Sequence, residues 1–311
     1  MSKFFELVDP NRFSVLNLPG YIFLCGASLK DKEVSLRACF YEQKVANNPN
    51  LSRRVQLAEK ANDWYQANEH FHNLLELEEY LAGLSSCILL FVESAGAIAE
   101  LGVFTQMLTV REKLMIVIER SYDQQSFIVD GPIKQMRKLG DEFVLVYPWL
   151  LPPAKNGIRR IDANLLGDTL DGIAESLTER LGDLSKNVTF RQDDHGHKML
   201  LVADLIMLLG IANTTEIKTI VSEQFGFDYA DGKLSKYLYL LNQVGIISCE
   251  KLGASRYYFA LEEGRPHIAY SPKMPTDRTR LRNILREEFP LNAEKKRALK
   301  AHKARKSEVV R

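Results

Sequence analysis

The sequence predicts an α/β chain: a doubly wound parallel sheet followed by a smaller, mainly helical domain. Three observations predict it. Four runs, Tyr21–Cys25, Ile88–Val92, Leu114–Ile118 and Phe143–Tyr147, are almost continuously apolar, as parallel strands buried on both faces are. Helical patterns at Lys32–Ala46, Asn68–Gly83 and Ala97–Arg111 alternate with these runs, which argues for strand–helix–strand units. Pro148, Pro152, Pro153 and Asn156-Gly157 then break the rhythm and place a domain boundary near there.

The 311 residues suffice for two domains, and 46% hydrophobic with 26% charged residues is an ordinary globular balance. Cys25, Cys39, Cys87 and Cys249 form no CxxC pair, so they read as reduced, buried thiols. No leader-like segment and no apolar run of membrane-spanning length is seen, so a cytoplasmic protein without a membrane partner is expected.

Taken in order, the first strand ends at Gly26-Ala27-Ser28, where backbone amides and a hydroxyl can meet a phosphate or a sugar. A weaker strand is expected at Arg54–Ala58. Ile88–Val92 leads through Glu93-Ser94-Ala95-Gly96 into a helix expected to carry Glu100 in its first turn. In such a Rossmann-like sheet, ligands bind beyond the carboxyl ends of the strands. The amides of a helix start favour negative charge, so Glu100 is expected to stay ionised as a nucleophile. Glu93, Ser94 and Gly96 are candidate substrate contacts, with Ser94 alternatively a helix cap. Gly102 is expected to keep this helix slim against the sheet. Asp130 is a further candidate, although Asp130-Gly131-Pro132 also reads as a turn. His70 and His72, two apart on an expected helix, cannot readily share a metal.

Beyond the boundary, Leu165, Leu166, Leu170, Ile173, Leu177 and Leu181 recur at helical spacing in a connecting segment, and a polar loop, Gln192–His197, closes it. Leu200–Leu209 reads as a helix, and Asn213-Thr214-Thr215-Glu216 as a capping box opening the next. A third helix follows Asp231-Gly232, with Lys233, Ser235, Lys236 and Tyr239 expected outward. Ile246–Lys251 and Arg256–Leu261 then read as a hairpin. Three helices and a hairpin resemble a winged helix-turn-helix domain, in which Lys233, Lys236, Tyr239 and Arg256 could meet nucleic acid or a protein partner. Arg278, Arg280, Arg282 and Arg286 extend the positive charge, and the Lys/Arg-rich end from Glu294 to Arg311 is expected to be disordered when free. The expected layout is thus 1–150, an α/β domain; 151–197, a connecting helix and loop; 198–265, the winged-helix region; and 266–311, a basic extension.

Gly96-Ala97-Ile98-Ala99-Glu100-Leu101-Gly102 resembles the Gly-Thr-Ala-Phe-Glu-Leu-Gly signature of nucleoside 2-deoxyribosyltransferases. Together with Phe23-Leu24-Cys25-Gly26 and Ser126-Phe127-Ile128-Val129-Asp130-Gly131-Pro132, in the same order and spacing, the chain resembles retron-associated effectors with a deoxyribosyltransferase-like domain. The resemblance implies that residues 1–150 are catalytic and that Glu100 attacks or stabilises the anomeric carbon of a nucleotide, NAD being a natural substrate. It implies no cofactor beyond that substrate. It further implies a toxic antiviral defence effector that partners a retron reverse transcriptase and its msDNA, a DNA–RNA hybrid. A homo-oligomer is compatible, since related transferases complete their pockets across subunits. Two departures stand out: the transferase threonine is Ala97 here, and Glu93 or Ser94 stands in place of an aspartate. They favour hydrolysis of an N-glycosidic bond over base exchange. The alternative is a nucleotide-sensing winged-helix DNA-binding regulator without catalysis.

Overall fold

The computed structural model describes residues 3–16, 20–67, 70–154, 157–183, 187–227, 229, 232–261, 265–271 and 277–309. Asn68, Asn156, Asp231 and the last two residues, which figure in the expected helix start, turns and tail, lie outside them. The chain divides into two compact units, one of residues 18–67 and 73–185, the other of 1–17, 68–72 and 186–311.

The first unit is built on a five-stranded parallel sheet. Its strands are β1 (Ile22–Cys25), β2 (Val55–Leu57), β3 (Cys87–Phe91), β4 (Leu114–Glu119) and β5 (Val144–Tyr147), in the order β2-β1-β3-β4-β5. The four strong apolar runs and the weaker one at Arg54–Ala58 all became strands. β1, β3 and β4 are buried along their whole length, so both faces are covered, as a doubly wound sheet requires. On one face Ile22, Leu24, Leu89, Phe91, Met115 and Val117 pack with Leu36 and Phe40 of helix α1 (Leu36–Phe40), which runs on as a π-helical stretch, Tyr41–Ala46. Leu170, Ile173 and Leu177 of the long helix α5 (Ala163–Asp183) join the same cluster. Other helices of this unit include α2 (Ala58–Gln66), α3 (Leu74–Leu84) and α4 (Ala95–Phe104). Sequence periodicity did not reveal α2, because Ala61 is its one buried residue. His70 and His72 precede α3 and lie on no helix.

In the second unit, α6 (His195–Leu209) is almost entirely buried. The first half of the stretch expected as a polar loop, Gln192–Asp194, is non-helical, whereas His195–His197 already belong to this helix. Asp194, fully buried, caps it through the His197 amide at 3.1 Å, and His197 is itself buried. The capping box is present: Asn213 accepts from the Glu216 amide at 2.9 Å, and Glu216 from the Asn213 amide at 3.1 Å. It opens α7 (Thr214–Lys218). Next come α8 (Lys233–Gln243) and a three-stranded antiparallel sheet of β6 (Ala212–Asn213), β8 (Ser255–Ala260) and β7 (Ile247–Leu252). Helices α9 (Arg278–Glu288) and α10 (Ala293–Val309) follow.

The basic end is therefore helical, not disordered. Few apolar residues recommend it; Ala298 and Leu299 pack with Ile211, Tyr257 and Phe259, and polar contacts fasten it further. Lys295, 1% exposed, pairs with Glu216 at 2.5 Å. Arg305 reaches Glu250 at 2.9 Å. The Tyr257 hydroxyl donates to Glu294 at 2.9 Å, and the His302 ring stacks on Phe259 with centroids 4.2 Å apart. Ending the chain before Ala293 is expected to speed amide exchange in β7 and β8, since this unpairs the buried Glu250 and uncovers Phe259. Unchanged protection across Ile247–Ala260 would contradict this reading.

Candidate functional site

The strand order puts a topological switch point between β1 and β3, where successive connections leave in opposite directions and open a crevice. Gly26 stands at the end of β1 with φ +145°, and a Cβ there would come within 2.9 Å of Phe91 Cβ and Arg37 Cδ. The tight turn therefore requires glycine. Ala27 follows half-buried, and Ser28 Oγ accepts from the Lys30 amide at 3.3 Å.

Arg37 fixes this turn from below. Only 1% exposed, its guanidinium donates to the carbonyls of Leu24 (2.9 Å) and Ala27 (2.7 Å) and grips Glu59 with both outer nitrogens, at 2.7 and 2.6 Å. Partial burial works to raise the Glu59 carboxyl, but Arg37 holds it below its ordinary value. Neither residue stood out in the sequence; the available signal was a single cation inside the apolar run Leu36–Phe40.

Across the switch point, Ser94 caps α4, accepting from the Ala97 amide at 3.1 Å. Since α4 begins at Ala95, Glu100 lies in its second turn, not its first, and the helix start gives it little charge stabilisation. The expectation of a fully ionised Glu100 is corrected accordingly: burial pushes its carboxyl up to about 7, against the pull of Arg37 and with Glu59 adding to the rise. Glu100 is half-buried, and its Oε2 is buried without a hydrogen-bond partner. Gly102 does not press on the sheet; it is exposed, and a Cβ added there would have nothing within 4 Å.

A second carboxylate, missed in the sequence, belongs to this group. Glu78 on α3 is 7% exposed; burial pushes it up to about 7, and the charge on Glu100 adds to that. Both carboxylates also act on the Cys25 thiol, which burial holds well above its ordinary value. Two carboxyls repelling one another in a dry site titrate as a pair, so near neutrality one tends to keep a proton while the other is charged. The folded state thus retains protons that the unfolded chain releases between the ordinary 4.5 and about 7. Stability therefore falls as pH rises through that window. Glu78→Gln is expected to remove much of that loss and to add on the order of 2 kcal/mol at pH 8, measured by denaturant unfolding. A pH-independent difference between the two proteins would contradict the assignment.

The other candidate residues have different surroundings. Glu93 accepts from Ser35 Oγ (2.7 Å) and from the Leu36 (2.8 Å) and Arg37 (3.2 Å) amides, so it caps α1. Burial raises its carboxyl despite these bonds. Glu93 and Ser94 also line a cavity of about 570 Å³ with Ile98, Ser121, Tyr122 and Gln125. Glu100 is not in that lining: it is turned about 200° around α4 from Ile98. Gly96 is exposed on α4, and Asp130 is exposed in a π-helical stretch, Val129–Ile133, rather than a turn.

In the second unit the basic residues expected on α8 are not all available. Lys236 is 5% exposed, with its ammonium 5.7 Å from the centre of the Phe71 ring. Tyr239 lies against His70 and Phe71, with centroids 5.6 and 6.4 Å apart. Lys233 is half-buried, while Arg256 is exposed on β8 opposite Lys251.

Residues 33–249 match the STM3845 retron effector protein family. The chain belongs to this retron effector family. The effector is 25% identical over 244 residues to an Escherichia coli protein provisionally named the retron Ec73 ribosyltransferase/DNA-binding protein, covering 75% of this chain and 76% of that one. It is also 38% identical over 80 residues to the correspondingly named retron Ec86 protein of Escherichia coli, covering 25% and 26%. No described helix of the effector is long and apolar enough to cross a membrane.

Proposed function

We propose that this retron effector is a toxic N-glycosidase that cleaves the bond between base and sugar in a nucleotide, NAD or a related molecule. The observation that carries the reading is Glu100: a half-buried carboxylate with an unbonded oxygen, beside the switch point and close to its charge midpoint near neutrality. Ionised, it attacks C1′ of the ribosyl group or stabilises the positive charge that develops there as the C1′–N bond breaks. Water completes the hydrolysis. Glu78, raised to the same range by burial and by the charge on Glu100, shares the proton of the pair near neutrality. The names of the Escherichia coli relatives, which include ribosyl transfer, agree with chemistry at this carbon.

We read α6, α7, α8 and the β7–β8 hairpin as a winged helix-turn-helix, and propose that the effector is held in check by a retron reverse transcriptase and its msDNA. With α8 largely covered, the outer face of α10 offers phosphate contacts: Lys296, Arg297, Lys300 and Lys303 are exposed and make no ion pair among the described residues. Incubating the purified chain with NAD and with nucleosides, and separating the products, tests the enzymatic reading through release of free base. If no base is released and a nucleotide only raises the melting temperature, the chain is a nucleotide-sensing regulator instead.

A further inference from the structure

We infer that the cleft along α9 is a binding site for the phosphodiester backbone of a nucleic acid, distinct from the face of α8 and from the outer face of α10. The inference rests on the nucleic-acid partnership proposed above and goes beyond it by naming a site. The cleft has a volume of about 510 Å³ and is lined by Arg278, Thr279, Arg282 and Arg286, with Met207 and Leu208 of α6 among the facing residues. The three arginines are four residues apart, so they share one face of α9 at about 6 Å intervals.

Two of the guanidiniums are held in place. Arg278 donates to the fully buried Asp204 at 2.9 Å and to the Ile268 carbonyl at 3.3 Å. Arg286 Nε donates to the Leu208 carbonyl at 2.9 Å. Asp204 also accepts from the His267 amide at 2.7 Å, so it is committed to the fold and offsets the charge of Arg278. Between these anchored neighbours, Arg282 is exposed and has no ion pair or hydrogen bond among the described residues. Guanidiniums fixed before binding lose little freedom when they engage phosphate, and their fork suits its oxygens. Among the described residues, no carboxylate lines the cleft. A row of cations beside an apolar flank fits an extended polyanion, with phosphates on the arginines and a sugar or base against the half-buried Met207. A compact single anion would use one step of the row.

The test uses the full chain and a short fluorescent oligonucleotide, single-stranded and as duplex, with anisotropy titrations at several salt concentrations. Arg282→Glu is expected to weaken binding roughly tenfold or more and to lower the magnitude of the salt slope by about 1. Arg282→Lys should retain most of the affinity. Arg280→Glu makes the same change of charge on the opposite face of α9 and should cost far less. Thermal melting controls for folding, and both substituted side chains are exposed. Equal losses from Arg282→Glu and Arg280→Glu would overturn the site while leaving the partnership standing. No binding by the unsubstituted chain would overturn the partnership itself. Full competition by inorganic phosphate at matched ionic strength would mark a single-anion site and overturn the backbone assignment.

Discussion

A Glu100→Gln chain is expected to fold normally and to lose base release by roughly 10³-fold, because the substitution keeps the side chain's shape and removes the charge that meets the anomeric carbon. The folded state should even gain slightly, since burial already disfavours the charged form of Glu100. The pH dependence provides a second check. With the carboxyl near 7, cleavage should rise as pH passes through about 7 and level off above it, since attack needs the ionised form. Glu78→Gln removes a neighbouring negative charge and should move that rise to lower pH. Metabolite profiles of cells expressing the chain and its Glu100→Gln variant would show whether a nucleotide pool is lost. A fully toxic Glu100→Gln variant would remove the basis of the enzymatic reading.

Arg37→Met is expected to be the most destabilising single change near the site, costing about 3 kcal/mol. It strands the carbonyls of Leu24 and Ala27 and leaves Glu59 without its cation. The figure lies at the low end for a buried ion pair because Glu59 is 46% exposed and water can recover part of its solvation. Arg37→Lys keeps the charge but cannot serve two carbonyls and both Glu59 oxygens at once, so it should restore only part of the stability. The two variants also separate charge from shape. Loss of the positive charge in Arg37→Met should raise the pH at which cleavage sets in, whereas Arg37→Lys should leave that pH nearly unchanged. Equal stability of Arg37→Met and the unsubstituted chain, measured by chemical denaturation, would contradict this account.

The parallel sheet was legible because burial on both faces demands runs such as Ile88–Val92, which no exposed segment would keep. The capping box at Asn213 was legible because its chemistry is local. What escaped depends on distant partners. Helix α2 has almost no apolar stripe, and α10 is held by Glu216, Glu250 and Phe259, which come from elements far earlier in the chain. Lys236 reads as a surface cation until Phe71 is seen lying over it. At the candidate site, the glycine turn and Glu100 were visible as a motif. Arg37, Glu59 and Glu78 were not, because each matters through a neighbour brought close only by folding. The charge of Glu100 was misjudged because the helix starts at Ala95 rather than Ala97, which moved it two residues further from the helix start.

The partition of the chain has a practical consequence. Residues 1–17 and 68–72 belong with 186–311, so the polypeptide passes from one compact body to the other four times. Neither body corresponds to a single continuous stretch, and no one cut liberates either intact. Dissecting catalysis from partner recognition by expressing halves would leave Phe13 and Phe71 without the residues they pack against, and insolubility would then say nothing about activity. Separation of the two roles has to come from point variants in the uncut polypeptide.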